Sequence, residues 1–286
     1  MPRWLLLQVL SLIVVMSIVI FAIGELLTGA AHSAVETLSS DLPVESIQFP
    51  VNAENNVHAW LAHGDRGNGA ILLVHSMRSN RLEMLSRARF LNAQGYSVLL
   101  IDLQAHGESP GKRITFGFRE SESVDASITF LQQNFPNERI AAIGVSLGAA
   151  AIVLAKHSFK LDAVILESLH PTIEEAVENR LKLHFGEIGP LLLPLLLSQL
   201  SFYLDIPTSQ LNPITQIANL NSPLLLISGT HDTHTTLPET ERLFIAAREP
   251  KEIWIIPGAG HFNMHTYAGR VYEQRITAFL HHYLRQ

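Results

Sequence analysis

The pentapeptide Gly144-Val145-Ser146-Leu147-Gly148 carries more chemical content than any other stretch of the chain. It follows a short apolar run at 140–143 and precedes an alanine-rich run at 149–157. A serine between a strand and a helix, with glycine two residues away on each side, is the pattern of a sharp turn that exposes a nucleophilic hydroxyl. Bulky flanking side chains would collide in such a turn. The start of the following helix leaves backbone N–H groups unpaired beside the serine. Those donors are suited to an oxyanion. Serine is a poor nucleophile at neutral pH unless a base takes its proton, so a base must lie elsewhere in the chain.

The elements that position such a serine follow from the hydropathy pattern. Residues 45–49, 57–62, 70–75, 97–102, 139–145, 163–167, 224–228 and 253–256 read as strands. Several are continuous apolar runs, as parallel strands buried on both faces require. Residues 81–94, 121–134, 147–157, 172–183, 238–247 and 268–284 read as helices. The turn cluster Gly64-Asp65-Arg66-Gly67-Asn68-Gly69 predicts an antiparallel opening hairpin between the strands on either side. The βα alternation implies an α/β fold with a mostly parallel, doubly wound sheet and a working site at the carboxyl ends of its strands. Residues 168–222 contain no strand pattern, and within them 189–204 is an uncharged, leucine-rich segment broken by two prolines. This interval reads as a helical cap inserted over the strand ends.

Composition excludes several classes. The chain has 286 residues and a net charge of −6, with no basic stripe, which argues against a nucleic-acid partner. There is no cysteine, hence no disulfide framework and no thiolate metal site. The 14 histidines are scattered, and the close pairs His231/His234 and His281/His282 lack a complete ligand set. No metal site is expected. Residues 4–23 form an uncharged apolar run of twenty residues, long enough to cross a bilayer as a helix. Arg3 before it and Glu25 after it orient the N-terminus to the cytoplasm and the remainder to the far side. The expected organisation is a membrane anchor at 1–25, a linker at 26–43 and an α/β domain at 44–286. The alternative is a secretory signal cleaved near Gly29-Ala30-Ala31, giving a secreted protein.

The chain resembles the α/β-hydrolase superfamily, nearest to membrane-anchored or secreted serine esterase and lipase-like members, over residues 44–286. Leu72-Leu73-Val74-His75-Ser76 resembles the family's L-x-x-H-G strand end. The segment from Asp102 to Ser109 is similar to its D-x-R-G-H-G-x-S loop, with Gln104 and Ala105 in place of the usual Arg and Gly. Gly229-Thr230-His231-Asp232 resembles the G-x-x-D acid loop, and Gly258-Ala259-Gly260-His261 the G-x-x-H loop. The resemblance implies Ser146 as nucleophile, His261 as general base and Asp232 as the acid that orients it, in the chain order of this fold. Glu167, at a strand end, is the rival acid. It also implies an oxyanion hole from the N–H groups of Leu147 and Met77. Ser76 stands where glycine is usual, so a positive φ there would strain the loop. Asp102 and His106 are expected to hold their loop by hydrogen bonds. The implied activity is hydrolysis of carboxylic esters, on a small-molecule or lipid-like substrate, without cofactor. Acyl transfer, peptidase action or a non-catalytic binding role on the same scaffold remain alternatives. The serine elbow disfavours dehalogenase or epoxide-hydrolase chemistry, which uses an aspartate nucleophile. Oligomeric state is not legible.

Overall fold

The computed structural model describes residues 2–36, 42–156 and 161–285. Among these residues there are ten strands: β1 (Ala31–His32), β2 (Glu45–Pro50), β3 (Asn56–Ala62), β4 (Ala70–Val74), β5 (Ser97–Ile101), β6 (His106–Gly107), β7 (Ile140–Val145), β8 (Ala163–Glu167), β9 (Leu224–Gly229) and β10 (Lys251–Ile256). Eight of them form one sheet in the order β10-β9-β8-β7-β4-β5-β3-β2. The six from β10 to β5 run parallel, and β3 and β2 join antiparallel at one edge.

The continuous apolar runs have a direct cause. Side chains alternate across a strand, so a sheet covered on both faces needs apolar residues at every position. Leu72, Val74, Ala142, Val164 and Leu166 pack in the core on one face. Ile71, Leu73, Ala141, Ile143 and Ile165 pack in the core on the other. Helices α3 (Glu120–Asn134) and α4 (Leu147–Leu154) cover the first face; α2 (Leu85–Ala93) covers the second, as does α10 (Arg270–Leu284), which follows the short α9 (Met264–Ala268). Strands β7 and β4 lie in the middle of the sheet, so the serine after β7 is held by a fully buried strand.

Two expectations are corrected. The Gly64–Gly69 cluster does not close a hairpin. Both edges of β4 are taken by parallel neighbours, β5 and β7, so the chain leaving β3 must cross over β5. The antiparallel hairpin lies one element earlier, between β2 and β3, where Val51 N–H donates to the Asn55 carbonyl. The proposed linker also starts too early. Helix α1 runs from Arg3 to Thr28, and the next residues pair with the domain through β1 and β6. Positions 37–41 of that linker, and residue 157 at the expected end of α4, lie outside the described residues.

The interval after β8 is helical: α5 (Ile173–Phe185), a 3₁₀ segment (Gly186–Leu192), α6 (Leu193–Leu204) and the short α7 (Pro213–Gln216); α8 (Leu237–Ala246) follows β9. Ile173–Leu204 has the length and hydropathy of a membrane span. It is nevertheless broken where Gly186 adopts φ 61° and where Pro190 and Pro194 interrupt the backbone donors. Leu196, Leu200 and Leu204, spaced every four residues along α6, meet Ile173, Val177 and Leu181 of α5 in a third core. By the same measure α1 contributes the shorter apolar stretch Ser17–Thr28.

Candidate active site

The site begins with backbone sterics. Ser146 sits between β7 and α4 with φ 50° and ψ −105°, a conformation few non-glycine residues adopt. Its N–H is held by the Glu167 carbonyl at 2.9 Å. A Cβ on Gly148 would lie 2.4 Å from the Val74 carbonyl oxygen, and one on Gly144 would lie 2.7 Å from the Ala149 nitrogen. Both glycines are therefore required by close backbone approach on either side of the serine.

Three loops at the carboxyl edge of the sheet bring partners to this serine. His261, after β10, has its Nε2 3.2 Å from Ser146 Oγ. Its Nδ1 lies 2.9 Å and 3.1 Å from the two carboxylate oxygens of Asp232, which follows β9. The Asp232 carboxylate also accepts hydrogen bonds from His234 N–H, Thr235 N–H, Thr235 Oγ1 and Ser168 Oγ, all at 2.8–2.9 Å. Burial alone would push the Asp232 carboxyl up. The hydrogen bond and charge of His261, with the Thr235 donors, outweigh burial and hold it at about 2. The carboxylate therefore contributes to stability fully above an unfolded value of about 4, and that contribution is lost as pH falls toward 2.

Glu167 is occupied elsewhere. It is fully buried, pairs with Arg87 at 2.6 Å and accepts from the Tyr272 hydroxyl at 2.6 Å. That cluster lies under the sheet's second face and fixes α2 and α10 to β8, which places Glu167 in a structural ion pair and not beside His261.

The two residues expected to supply oxyanion donors lie at the same cavity as the serine. Met77 and Leu147 both line the cavity at Ser146. Neither N–H donates to a protein backbone acceptor among the described residues. The loop carrying Met77 avoids strain at Ser76. Its left-handed residue is Arg78, with φ 58°, and Ser76 is not among the residues with positive φ. Ser76 is instead tied down by its N–H and hydroxyl, which both donate to Glu83 Oε2 at 2.9 and 2.7 Å. His75 donates through Nδ1–H to the Ser76 carbonyl, 2.6 Å away, and accepts at Nε2 from Leu103 N–H at 3.1 Å. Burial pushes its pKa down, so it is a neutral strut between two loops.

The Asp102–Ser109 loop is structural. Asp102 accepts from Arg81 N–H at 2.7 Å and Glu108 N–H at 2.9 Å, and pairs with the Arg81 guanidinium. His106 Nδ1 meets the Gln104 carbonyl at 2.9 Å. Ala105, where the family often has glycine, adopts φ 59°.

The structure adds residues that sequence reasoning missed. Ser168 and Thr235 hold the acid. His234 stacks on the His261 ring with centroids 4.7 Å apart and planes 11° apart. Burial and the neighbouring His261 push His234 down to about 4, so the stacked ring is neutral. His170, buried in the cavity wall, is pushed down to about 3 by burial and by Arg180. Only tertiary placement identifies these four. A serine after a strand, or a threonine three residues beyond an aspartate, is too common a pattern to signal a role.

A cavity of about 260 Å³ opens at Ser146. Its wall is almost wholly apolar: Phe116, Ile173, Val177, Leu181 and Leu196 belong to it. Leu196 reaches the cavity, whereas Leu200, one turn on, is buried in the core of the cap. Among the described residues no cluster of His, Cys, Asp or Glu is arranged to hold a metal ion.

Known proteins share this architecture. Residues 65–197 match the family model for serine aminopeptidase, S33, and residues 206–286 that for the prolyl oligopeptidase family. An uncharacterized protein of Mycobacterium tuberculosis is 29% identical over 222 residues, covering 77% of this chain and 73% of its own. The Bacillus subtilis protein YqkD, also uncharacterized, is 25% identical over 214 residues, covering 73% and 70%. Among solved structures, a Pyrococcus furiosus esterase superposes with a TM-score of 0.73 at 20% identity, covering 90% of this chain and 98% of that one. A monoacylglycerol lipase of Paleococcus ferrophilus superposes with a TM-score of 0.57 at 21% identity, covering 79% and 98%. The serine elbow, the loop order and these matches agree: the chain belongs to the α/β-hydrolase superfamily.

Proposed function

We propose that this protein is a serine hydrolase that cleaves carboxylic esters through an acyl-enzyme. The observation that carries the reading is the continuous hydrogen-bonded line from Asp232 through His261 to Ser146 at the floor of an apolar cavity. In this reading the Ser146 hydroxyl attacks the ester carbonyl and its proton passes to His261 Nε2. The carbonyl oxygen gains the negative charge and accepts from the N–H groups of Leu147 and Met77. Asp232 holds His261 with Nδ1 protonated and stabilises the imidazolium. As the tetrahedral carbon collapses, the bond to the alcohol breaks and His261 returns the proton to the departing oxygen. Water then attacks the acyl-serine by the same route, giving the acid and free Ser146. The step needs no metal or organic cofactor.

Peptidase action is the second reading, because both family models are described as peptidases. An aminopeptidase must neutralise a peptide's terminal ammonium, and an acidic side chain in the cavity is the natural means. Among the described residues the cavity wall contains no Asp or Glu, and it includes the cationic Arg180. This favours an apolar acyl group on an ester. The test is a series of nitrophenyl esters and anilides of matched acyl groups, from two to ten carbons. Faster turnover of esters, with kcat/KM rising with chain length, is expected. Anilides or peptides turned over faster than esters, or a flat chain-length profile, would contradict the reading.

Helix α1 is proposed to anchor the protein, with the catalytic domain on the non-cytoplasmic side. Trp4, Leu7 and Ile18 on α1 are each more than 60% exposed, which is apolar surface a bilayer would bury. Retention in the membrane after carbonate extraction, and protease sensitivity only from the far side, are expected. A soluble mature chain beginning near Ala31 would contradict the anchor.

A further inference from the structure

Helix α1 does more than leave the domain. Its last three turns are fixed to the body by contacts of several kinds. Glu25 pairs with Arg113 at 2.8 Å, and Thr28 Oγ1 accepts from the same guanidinium at 2.8 Å. The Arg78 guanidinium donates to the carbonyls of Leu26 and Gly29. Gln199 of α6 donates to the Phe21 carbonyl at 3.3 Å, and the Phe21 ring meets Tyr203 edge-on at 5.5 Å. Beyond the helix, Ile114 N–H donates to the Thr28 carbonyl at 2.7 Å, and β1 pairs with β6. Two arginines thus grip the carboxyl end of α1, where helix carbonyls lack partners and favour cations.

The apolar face so held is turned toward the nucleophile's cavity. Ile20, Ile23 and Leu27 recur at helical spacing and pack against the cap core of Ile173, Val177, Leu196 and Leu200. Ile23, Leu26 and Leu27 line the same cavity as Ser146, Leu147 and Met77. Ile23 and Leu27 are half-buried, while Leu26 is 68% exposed. The wall therefore runs from a half-buried pair to an exposed residue at the mouth.

We propose that Ile23, Leu26 and Leu27 are specificity-determining residues that set acyl-chain length. The substrate class is an ester of one unbranched apolar acyl chain, whose tail leaves Ser146 along α1. The cavity, at about 260 Å³, lies near the lower end of small-molecule sites and suits a single chain. This inference rests on the ester-hydrolase reading, and deepens it by giving the expected anchor a part in the binding site.

The test uses the full chain in detergent micelles, assayed on nitrophenyl esters from two to twelve carbons. Leu27→Trp fills the cavity and is expected to lower the ratio of long-chain to acetyl kcat/KM by roughly tenfold or more, since each methylene that can no longer be buried costs about fourfold. Leu27→Ala, which removes bulk, is expected to move the preference toward longer chains. Val19→Trp, on α1 but away from the cavity, is expected to keep the wild-type ratio. A preference unchanged in both Leu27 variants, while wild type discriminates by chain length, would overturn the proposal. Absence of any Ser146-dependent ester hydrolysis in wild type would instead remove the ester reading on which it rests.

Discussion

Ser146→Ala is expected to lower ester turnover by about 10⁴- to 10⁶-fold with the fold intact. The hydroxyl lies at the cavity 3.2 Å from His261 Nε2, and in the proposed reaction it forms the acyl bond, so the substitution removes that atom. Any residual rate would come from bound water and the oxyanion donors. The folded state should tolerate the change. Ser146 makes no side-chain cap bond to α4, and its strained backbone is held by Gly144, Gly148 and the Glu167 carbonyl. Alanine at φ 50° carries the same backbone strain as serine. Unchanged thermal unfolding together with the rate loss is the expected pair of results. A variant that still turns over esters at the wild-type rate would exclude this nucleophile.

Asp232→Asn is expected to cost on the order of 10⁴-fold in turnover. The carboxylate accepts from His261 Nδ1 and from four further donors. An amide in its place can turn only one oxygen to those donors and offers N–H groups on the other side. That favours the tautomer protonated at Nε2, which cannot accept the serine proton. Glu167→Gln is expected to behave differently. It leaves the buried Arg87 guanidinium uncompensated, which costs about 3–5 kcal/mol and lowers Tm on the order of 10 °C. Turnover should persist at temperatures where the variant is folded. Comparison of Tm and kcat for the two variants separates the roles: a catalytic collapse in Glu167→Gln without loss of Tm would move the acid one strand earlier.

The central strands β4, β5, β7, β8 and β9 were legible because a sheet buried on both faces demands apolar side chains at nearly every position, and that demand writes itself directly into the chain. Strand order was less so. The glycine-rich 64–69 turn carries hairpin composition, yet the choice of β5 and β7 as partners of β4 is made by long-range pairing that local residues do not encode. The junction after α1 has linker composition for a related reason. Glu25 looks like a polar stop until Arg113, 88 positions on, is brought against it. Around the site, the residues that chemistry demands stood in recognisable spacings, and the structure brings Ser146, His261 and Asp232 within hydrogen-bond distance. The supporting shell was hidden. Ser168, His234 and Thr235 acquire meaning only through Asp232 and His261. Whether the serine at 76 would be strained depends on its φ, and the structure places the loop's positive φ at Arg78 while Ser76 donates twice to Glu83.

The central claim is that Ser146 becomes covalently acylated with His261 as its base. The most direct measurement is peptide mapping by mass spectrometry after treating the full-length protein with a fluorophosphonate. One adduct per chain on Ser146 is predicted, with labelling slowed strongly in His261→Ala and absent in Ser146→Ala. An adduct on another residue, or no adduct while the same preparation hydrolyses esters, would contradict it.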